Sequence, residues 1–198
     1  MKPVYPSLIR LQEIRTTRLR LRQWKAADLA PLIRLNADPE VMRFFPAPLY
    51  PHQSKMLFKR CRDFINQYGW GVWAVEHQET REFMGLVGLN IPHTAMDFMP
   101  CVEIVWRLEP RWWRQGFAYE AAQACLQFGL HSLKLEEILA FTSLLNLPSQ
   151  QLMQKLGMQY VRNFEHPNLE PTNPLRRHCL YRANQSTIPL SAYSARSL

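Results

Sequence analysis

Hydrophobic and polar positions recur with a period of two in some stretches and of three to four in others, and the switches divide the chain into elements. Leu and Arg alternate over 19–23, which predicts a first strand near a sheet edge. Over 28–36, Leu29, Leu32, Ile33 and Leu35 supply the apolar face of a helix. Pro46, Pro48 and Pro51 then forbid regular helix, and helical spacing resumes over 54–67 through Leu57, Phe58, Cys61, Phe64 and Ile65. Residues 70–76 and 82–91 read as antiparallel strands joined by a turn near 78–81. A strand at 101–108 puts Ile104 and Trp106 on one face, Glu103 and Val105 on the other. The best helical pattern covers 117–131, where Ala118, Ala121, Ala122, Cys125 and Gly129 let a helix sit close to a sheet. A strand at 137–142, a short helix at 149–156 and strands at 158–162 and 178–182 follow, and 183–198 carry no period, which predicts a poorly ordered tail.

This order gives an α+β protein with a mixed sheet, and strand–helix alternation confined to the second half excludes a doubly wound fold. The length of 198 residues fits one domain, and 47% hydrophobic residues exclude a disordered chain. No apolar run approaches the roughly 20 residues needed to cross a bilayer, and the arginines before residue 23 leave no room for a signal-peptide segment. Cys61, Cys101, Cys125 and Cys179 stand too far apart for a zinc site or a disulfide framework, so a reducing cytoplasm and no bound metal are expected. His93 and His131 read as loop or surface residues. The net charge of +8 suggests an anionic partner but chooses none.

The chemistry concentrates between Glu109 and Ala121. Pro110 stops a strand, a helix begins near Phe117, and Gly116 permits close approach of the backbone. Free N–H groups and the dipole at a helix start favour phosphate. By spacing alone the segment is either an anion cradle or an ordinary strand-to-helix turn.

Gly116-x-Ala118 followed by Glu120-Ala121 resembles the pyrophosphate loop of the GNAT acetyltransferases, with Trp113 where Gln or Arg is commonest. An aromatic there is typical of the branch of ribosomal-protein N-terminal (alanine/serine) acetyltransferases. Thr17-Arg18-Leu19-Arg20-Leu21-Arg22, Asp38-Pro39-Glu40-Val41-Met42, Gly85 and Gly88, Glu103-Ile104, Asn146-x-x-Ser149 and Lys155-Leu156-Gly157-Met158 continue the likeness in order. It covers 17–182, leaving 1–16 as an N-terminal extension and 183–198 as the tail.

The resemblance implies a GNAT fold: a mostly antiparallel sheet of six or seven strands, helices on both faces, and a V-shaped opening between the fourth and fifth strands. It implies acetyl-CoA as cosubstrate, with the backbone of Trp106, Arg107 and Leu108 along the pantetheine arm. Trp113, Arg114, Gln115, Gly116, Phe117, Ala118 and Tyr119 would hold the pyrophosphate. The acceptor amine attacks the thioester directly, so Cys101 and Cys125 are expected to be core thiols. Glu103 is either the general base or a structural carboxylate paired with an arginine. Met153 stands where many relatives carry a tyrosine acid, which leaves Ser149 as donor to the leaving sulfur or as a helix N-cap, and Asn146 to bond the pantetheine or hold a strand end. Phe44, Phe45, Tyr50 and Trp70, with residues 163–174, would flank the acceptor, with a place in the core as the alternative for Phe44 and Trp70. The expected acceptor is a protein N-terminus, with the ribosome as a candidate partner and the enzyme a monomer or homodimer. A small-molecule amine, or a non-catalytic binding role on the same fold, are the alternatives.

Overall fold

The computed structural model describes residues 5–8 and 10–190. Eight strands form a single sheet in the order β1-β2-β3-β4-β5-β6-β8-β7. They are β1 (Ile14–Arg15), β2 (Leu19–Arg22), β3 (Val72–His77), β4 (Phe83–Asn90), β5 (Glu103–Leu108), β6 (Glu137–Ser143), β7 (Gln159–Glu165) and β8 (Arg177–Asn184). Seven match the strands predicted by alternation; the eighth, β1, has two residues and is too short to carry a period. Every neighbouring pair is antiparallel except β5 and β6, which run parallel.

The helices are α1 (Leu29–Ala37), α2 (Pro39–Met42), α3 (Pro51–Tyr68), α4 (Phe117–Gln127) and α5 (Leu147–Lys155). Alternation along β5 assigns them to faces: Arg107 bonds Asn36 of α1, whereas Leu89, paired with Ile104, packs toward Gly129 just beyond α4. Helices α1 and α3 therefore cover one face and α4 the other. Gly129 brings the helix close to the sheet there: a Cβ on it would lie 2.5 Å from Ile138 Cδ1, so that side chain would have to shift. The predicted helix 117–131 is α4 continued by a π-helical turn, Phe128–Ser132.

Three boundaries depart from expectation for local reasons. Pro51, expected to break helix, opens α3, since proline in the first turn forfeits an N–H that has no partner there anyway. Helix α5 starts two residues before Ser149, because Asn146 is the N-cap and its side chain accepts from the Ser149 amide at 3.3 Å. Residues 183–190, expected to be a loose tail, are held in place. Ala183 and Asn184 end β8, Ile188 is buried, Gln127 Nε2 donates to Pro189 O at 2.7 Å, and His131 Nε2 lies 2.9 Å from Ile188 O. Residues 191–198 lie outside the described part. The N-terminal extension is also docked: Leu8 N bonds Tyr68 O, and Trp70 and Trp73 donate their indole N–H groups to Pro6 O and Gln12 O. No helix among the described residues is long and apolar enough to cross a membrane.

Candidate acetyl-transfer site

Strand β5 has two unlike edges. It pairs with β4 along its whole length, from Gly85–Leu108 to Asn90–Glu103, but with β6 only at Glu103–Leu139. Glu109 N donates to Met84 O, so the odd-numbered residues spend their backbone on β4; Val102 O accepts from Leu139 N, so the even-numbered ones face β6. Beyond the single contact the strands part, and the polar backbone of Trp106 and the N–H of Leu108 border the gap. The Leu108 carbonyl is taken by Trp113 Nε1 at 2.8 Å. Arg107 stands apart from the set expected to hold the pantetheine: its backbone is spent on β4, and its side chain lies on the α1–α3 face.

The segment after β5 turns through Pro110–Trp112 and enters α4 at Gly116. Arg114 and Gly116 both adopt positive φ, 58° and 82°. Among the described residues, the amides of residues 114–119 have no hydrogen-bond acceptor, whereas those of Trp112, Trp113 and Glu120 do. Successive free N–H groups at a helix start form a concave nest for an anion. A Cβ on Gly116 would meet no atom closer than Arg18 Nη2 at 3.4 Å, so glycine serves the left-handed backbone rather than close packing.

Arg18, absent from the sequence-predicted site, completes this nest. Its Nε bonds Glu120 Oε2 at 2.7 Å, its Nη1 bonds Gln115 O at 3.0 Å, and its guanidinium lies 4.2 Å from the centre of the Phe117 ring. Burial raises the Glu120 carboxyl, but bonds from Thr16 and Arg18 more than offset it and hold it below the usual range. No sequence pattern joins residues 102 positions apart. Lys155, at the end of α5, adds a second cation 5.1 Å from the Tyr119 ring.

On the α1–α3 face Glu103 is buried and accepts from Asn90 Nδ2 at 2.7 Å. Burial pushes its carboxyl up to about 7, against the opposing pull of the Asn90 bond and the charge of Arg60. No arginine pairs with it among the described residues, so the structural ion pair anticipated as an alternative does not form. Leu139 lies opposite Glu103 across the parallel pair, and Phe141, two residues on, shares its face with Phe98 and Phe164. Asn146 accepts from Ser149 N and donates to Thr142 Oγ1 at 2.9 Å, which ties α5 to the end of β6. The Ser149 hydroxyl is bonded to no described residue, and Met153 is core.

Cys61, Cys101, Cys125 and Cys179 are all buried free thiols. Burial pushes Cys101 up to about 12 and raises Cys125 further, so neither offers a thiolate near neutral pH. Of the two aromatics open to either role, Trp70 is fully buried in the core and Phe44 is half-buried, while Phe45 and Tyr50 are exposed. The loop following β7 is pinned by Arg176, which bonds Glu165 at 2.7 Å and the carbonyl of Leu169.

The family model described as an acetyltransferase (GNAT) domain matches residues 18–159. The chain belongs to this family. Similar proteins include YkkB of Bacillus subtilis, 30% identical over 74% of this chain and 85% of its own length. The N-acetyltransferase YnaD of the same organism is 26% identical over 74% and 82%. Among solved structures, a GNAT-family acetyltransferase from Bacillus anthracis has a TM-score of 0.73, covering 88% of this chain and 99% of its own at 22% identity. A spermidine N-acetyltransferase from Vibrio cholerae, solved with CoA and spermine, has a TM-score of 0.69, covering 87% and 99% at 19% identity. At such identity the two structures share the fold alone. This GNAT enzyme transfers acetyl groups from acetyl-CoA, and the free amides at 114–119 and the open edge of β5 fit that ligand's diphosphate and amide-bearing arm.

Proposed function

We propose that this GNAT enzyme acetylates the α-amino group of a peptide or protein, as the ribosomal-protein branch does, with Glu103 as general base and Ser149 as donor to the departing sulfur. The reading is carried by one observation: a buried carboxyl pushed up to about 7 stands at the point where β5 leaves β6. When bound, acetyl-CoA supplies the activated acetyl thioester. The N–H and C=O of Trp106 hold its arm as an added strand would, and the amides of Gln115, Gly116, Phe117 and Ala118, with Arg18, take the diphosphate. Glu103 accepts the proton that the amine nitrogen loses as it bonds the acetyl carbon. Ser149 Oγ, bonded to no described residue, hydrogen-bonds the sulfur as the carbon–sulfur bond breaks, and solvent returns the proton that makes the free thiol.

The raised Glu103 carboxyl supports an α-amine as acceptor. A carboxylate that protonates near pH 7 is matched to an α-amine of pKa about 8, and poorly to a lysine ε-amine at about 10.4. Steady-state release of CoA thiol with N-terminal peptides, lysine side-chain analogues and spermidine tests this directly. The α-amine peptides should have the highest kcat/KM, and Glu103→Gln should lower kcat about 10²–10⁴-fold. A variant with undiminished kcat would remove Glu103 as the base, and preference for ε-amines or spermidine would remove the α-amine reading.

A further inference from the structure

Arg107 sits on the acceptor face four residues along β5 from Glu103, with its side chain on the same side of the sheet. Its Nη1 donates to Asn36 Oδ1, a neutral amide oxygen, and its guanidinium carbon lies 4.3 Å above the centre of the Phe45 ring. Its Nε is sealed from water with no hydrogen-bond partner, and no described residue accepts from Nη2. No carboxylate pairs with it among the described residues. Nε and Nη2 form the edge of a guanidinium whose parallel N–H groups match the two oxygens of a carboxylate. A half-buried cation with its Nε sealed and only one neutral hydrogen bond is poorly compensated in the free protein and gains once an anion completes it.

We infer that Arg107 is a specificity residue for the acceptor, and that the acceptor carries a carboxylate which docks at Nη2, on the unpaired side of the fork, while its amine lies at Glu103. The inference rests on the acceptor lying on the Glu103 face and deepens that reading. Four residues of extended chain span about 13 Å, so an arginine and a glutamate leaning toward each other leave room for a carboxylate several bonds from the amine. Phe45 fixes the plane of the guanidinium and Asn36 its rotation, so the fork is oriented before the ligand arrives. Arg60, close enough to act on the Glu103 carboxyl, adds a second positive charge to this face. A polyamine would bring its remaining charges against both arginines. The carboxylate can belong to a free amino acid or to an acidic residue following a peptide N-terminus; the chemistry recognised is the same.

Matched acceptors separate the outcomes. An amino acid and its carboxamide form one pair; peptides differing only by an acidic residue or its amide after the N-terminal residue form the other. Each is assayed by acetyl-CoA-dependent thiol release, with spermidine as the polycation. The wild-type enzyme should prefer the carboxylate member of at least one pair by tenfold or more in kcat/KM, mainly through KM. The pair that discriminates identifies the source. Arg107→Gln should bring that ratio close to one. Equal rates within both wild-type pairs, preference for amides or spermidine, or a ratio unmoved by Arg107→Gln would each overturn the assignment. Should the variant fail to fold, the wild-type ratios alone decide. A carboxylate preference that persists in Glu103→Gln at reduced kcat separates this role from that of the base; a preference that holds while Glu103→Gln keeps full kcat would sink the base and leave Arg107 standing.

Discussion

Arg22, buried, and Arg107, half-buried, each project from a strand, and they are treated in opposite ways. Arg22 Nε bonds Glu76 at 2.6 Å, and its two terminal nitrogens bond both oxygens of Asp28 at 2.7 and 2.9 Å. Lys25 and Arg81 lie against the same Glu76, and Asp28 also accepts from Lys25 N. Burial pulls the Arg22 guanidinium down, but its two acids more than restore it and leave it above the ordinary value. Arg107 has no acid among the described residues, and burial pushes it down to about 10. The strands behave alike: β2 is paired on both sides, by β1 and β3, while β5 leaves most of one edge unspent. A groove over the Arg22 cluster, bordered by Arg20, Lys25, Arg34 and Arg81, shares no residue with the opening between β5 and β6. Polar groups satisfied within the chain hold the fold together. The Arg107 Nε and the β6-facing edge of β5 are left unspent.

Paired stability measurements put this contrast under the greatest strain. Arg22→Met strands two buried carboxylates and should cost about 3–5 kcal/mol in urea unfolding. Arg107→Met removes a charge without an acid partner but strands the buried Asn36 Oδ1, and should cost about 1–2 kcal/mol, clearly less than Arg22→Met. Equal losses would erase the distinction between the two regions.

Next in size is a pH effect centred on Glu103. Its folded pKa of about 7 lies above the unfolded carboxyl value, so the native state holds a proton that the unfolded chain releases. That contribution is complete below the unfolded pKa of about 4.3 and is lost as pH rises through about 7. Wild type should therefore lose roughly 3 kcal/mol relative to Glu103→Gln across this window. Parallel stability curves would show that the carboxyl is not perturbed. Activity should move the other way, rising through about pH 7 as the carboxylate forms.

The order of elements was legible because each long one carries a clean period, and α4 was legible from its small residues. The nest before α4 was visible as a glycine between a strand and a helix. What escaped is contact between residues distant in the chain. Arg18 beside Gln115 and Glu120, Asn36 on Arg107, and Asn90 on Glu103 have no local signature. The face of Arg107 was available from alternation, since it follows Glu103 and Val105. The expectation that its backbone binds the arm overlooked which edge odd-numbered residues present. The start of α5 was misplaced because Asn146, not Ser149, meets the capping geometry.

The smallest effect separates structure from chemistry within α5. Ser149 Oγ bonds no described residue, so Ser149→Ala should leave stability within about 0.5 kcal/mol. It should lower kcat about tenfold, one charge-assisted hydrogen bond, with little change in acetyl-CoA affinity. Unchanged turnover would refute the role at sulfur.

Amide hydrogen exchange with and without CoA, resolved by residue, interrogates the divided edge of β5 most directly. Slowed exchange should appear at Trp106 and across residues 114–119, while Met84, Leu86 and the β4 side of β5 stay as they were. Protection confined to other strands, or none at 114–119 under saturating CoA, would contradict a cleft between β5 and β6 that receives the ligand.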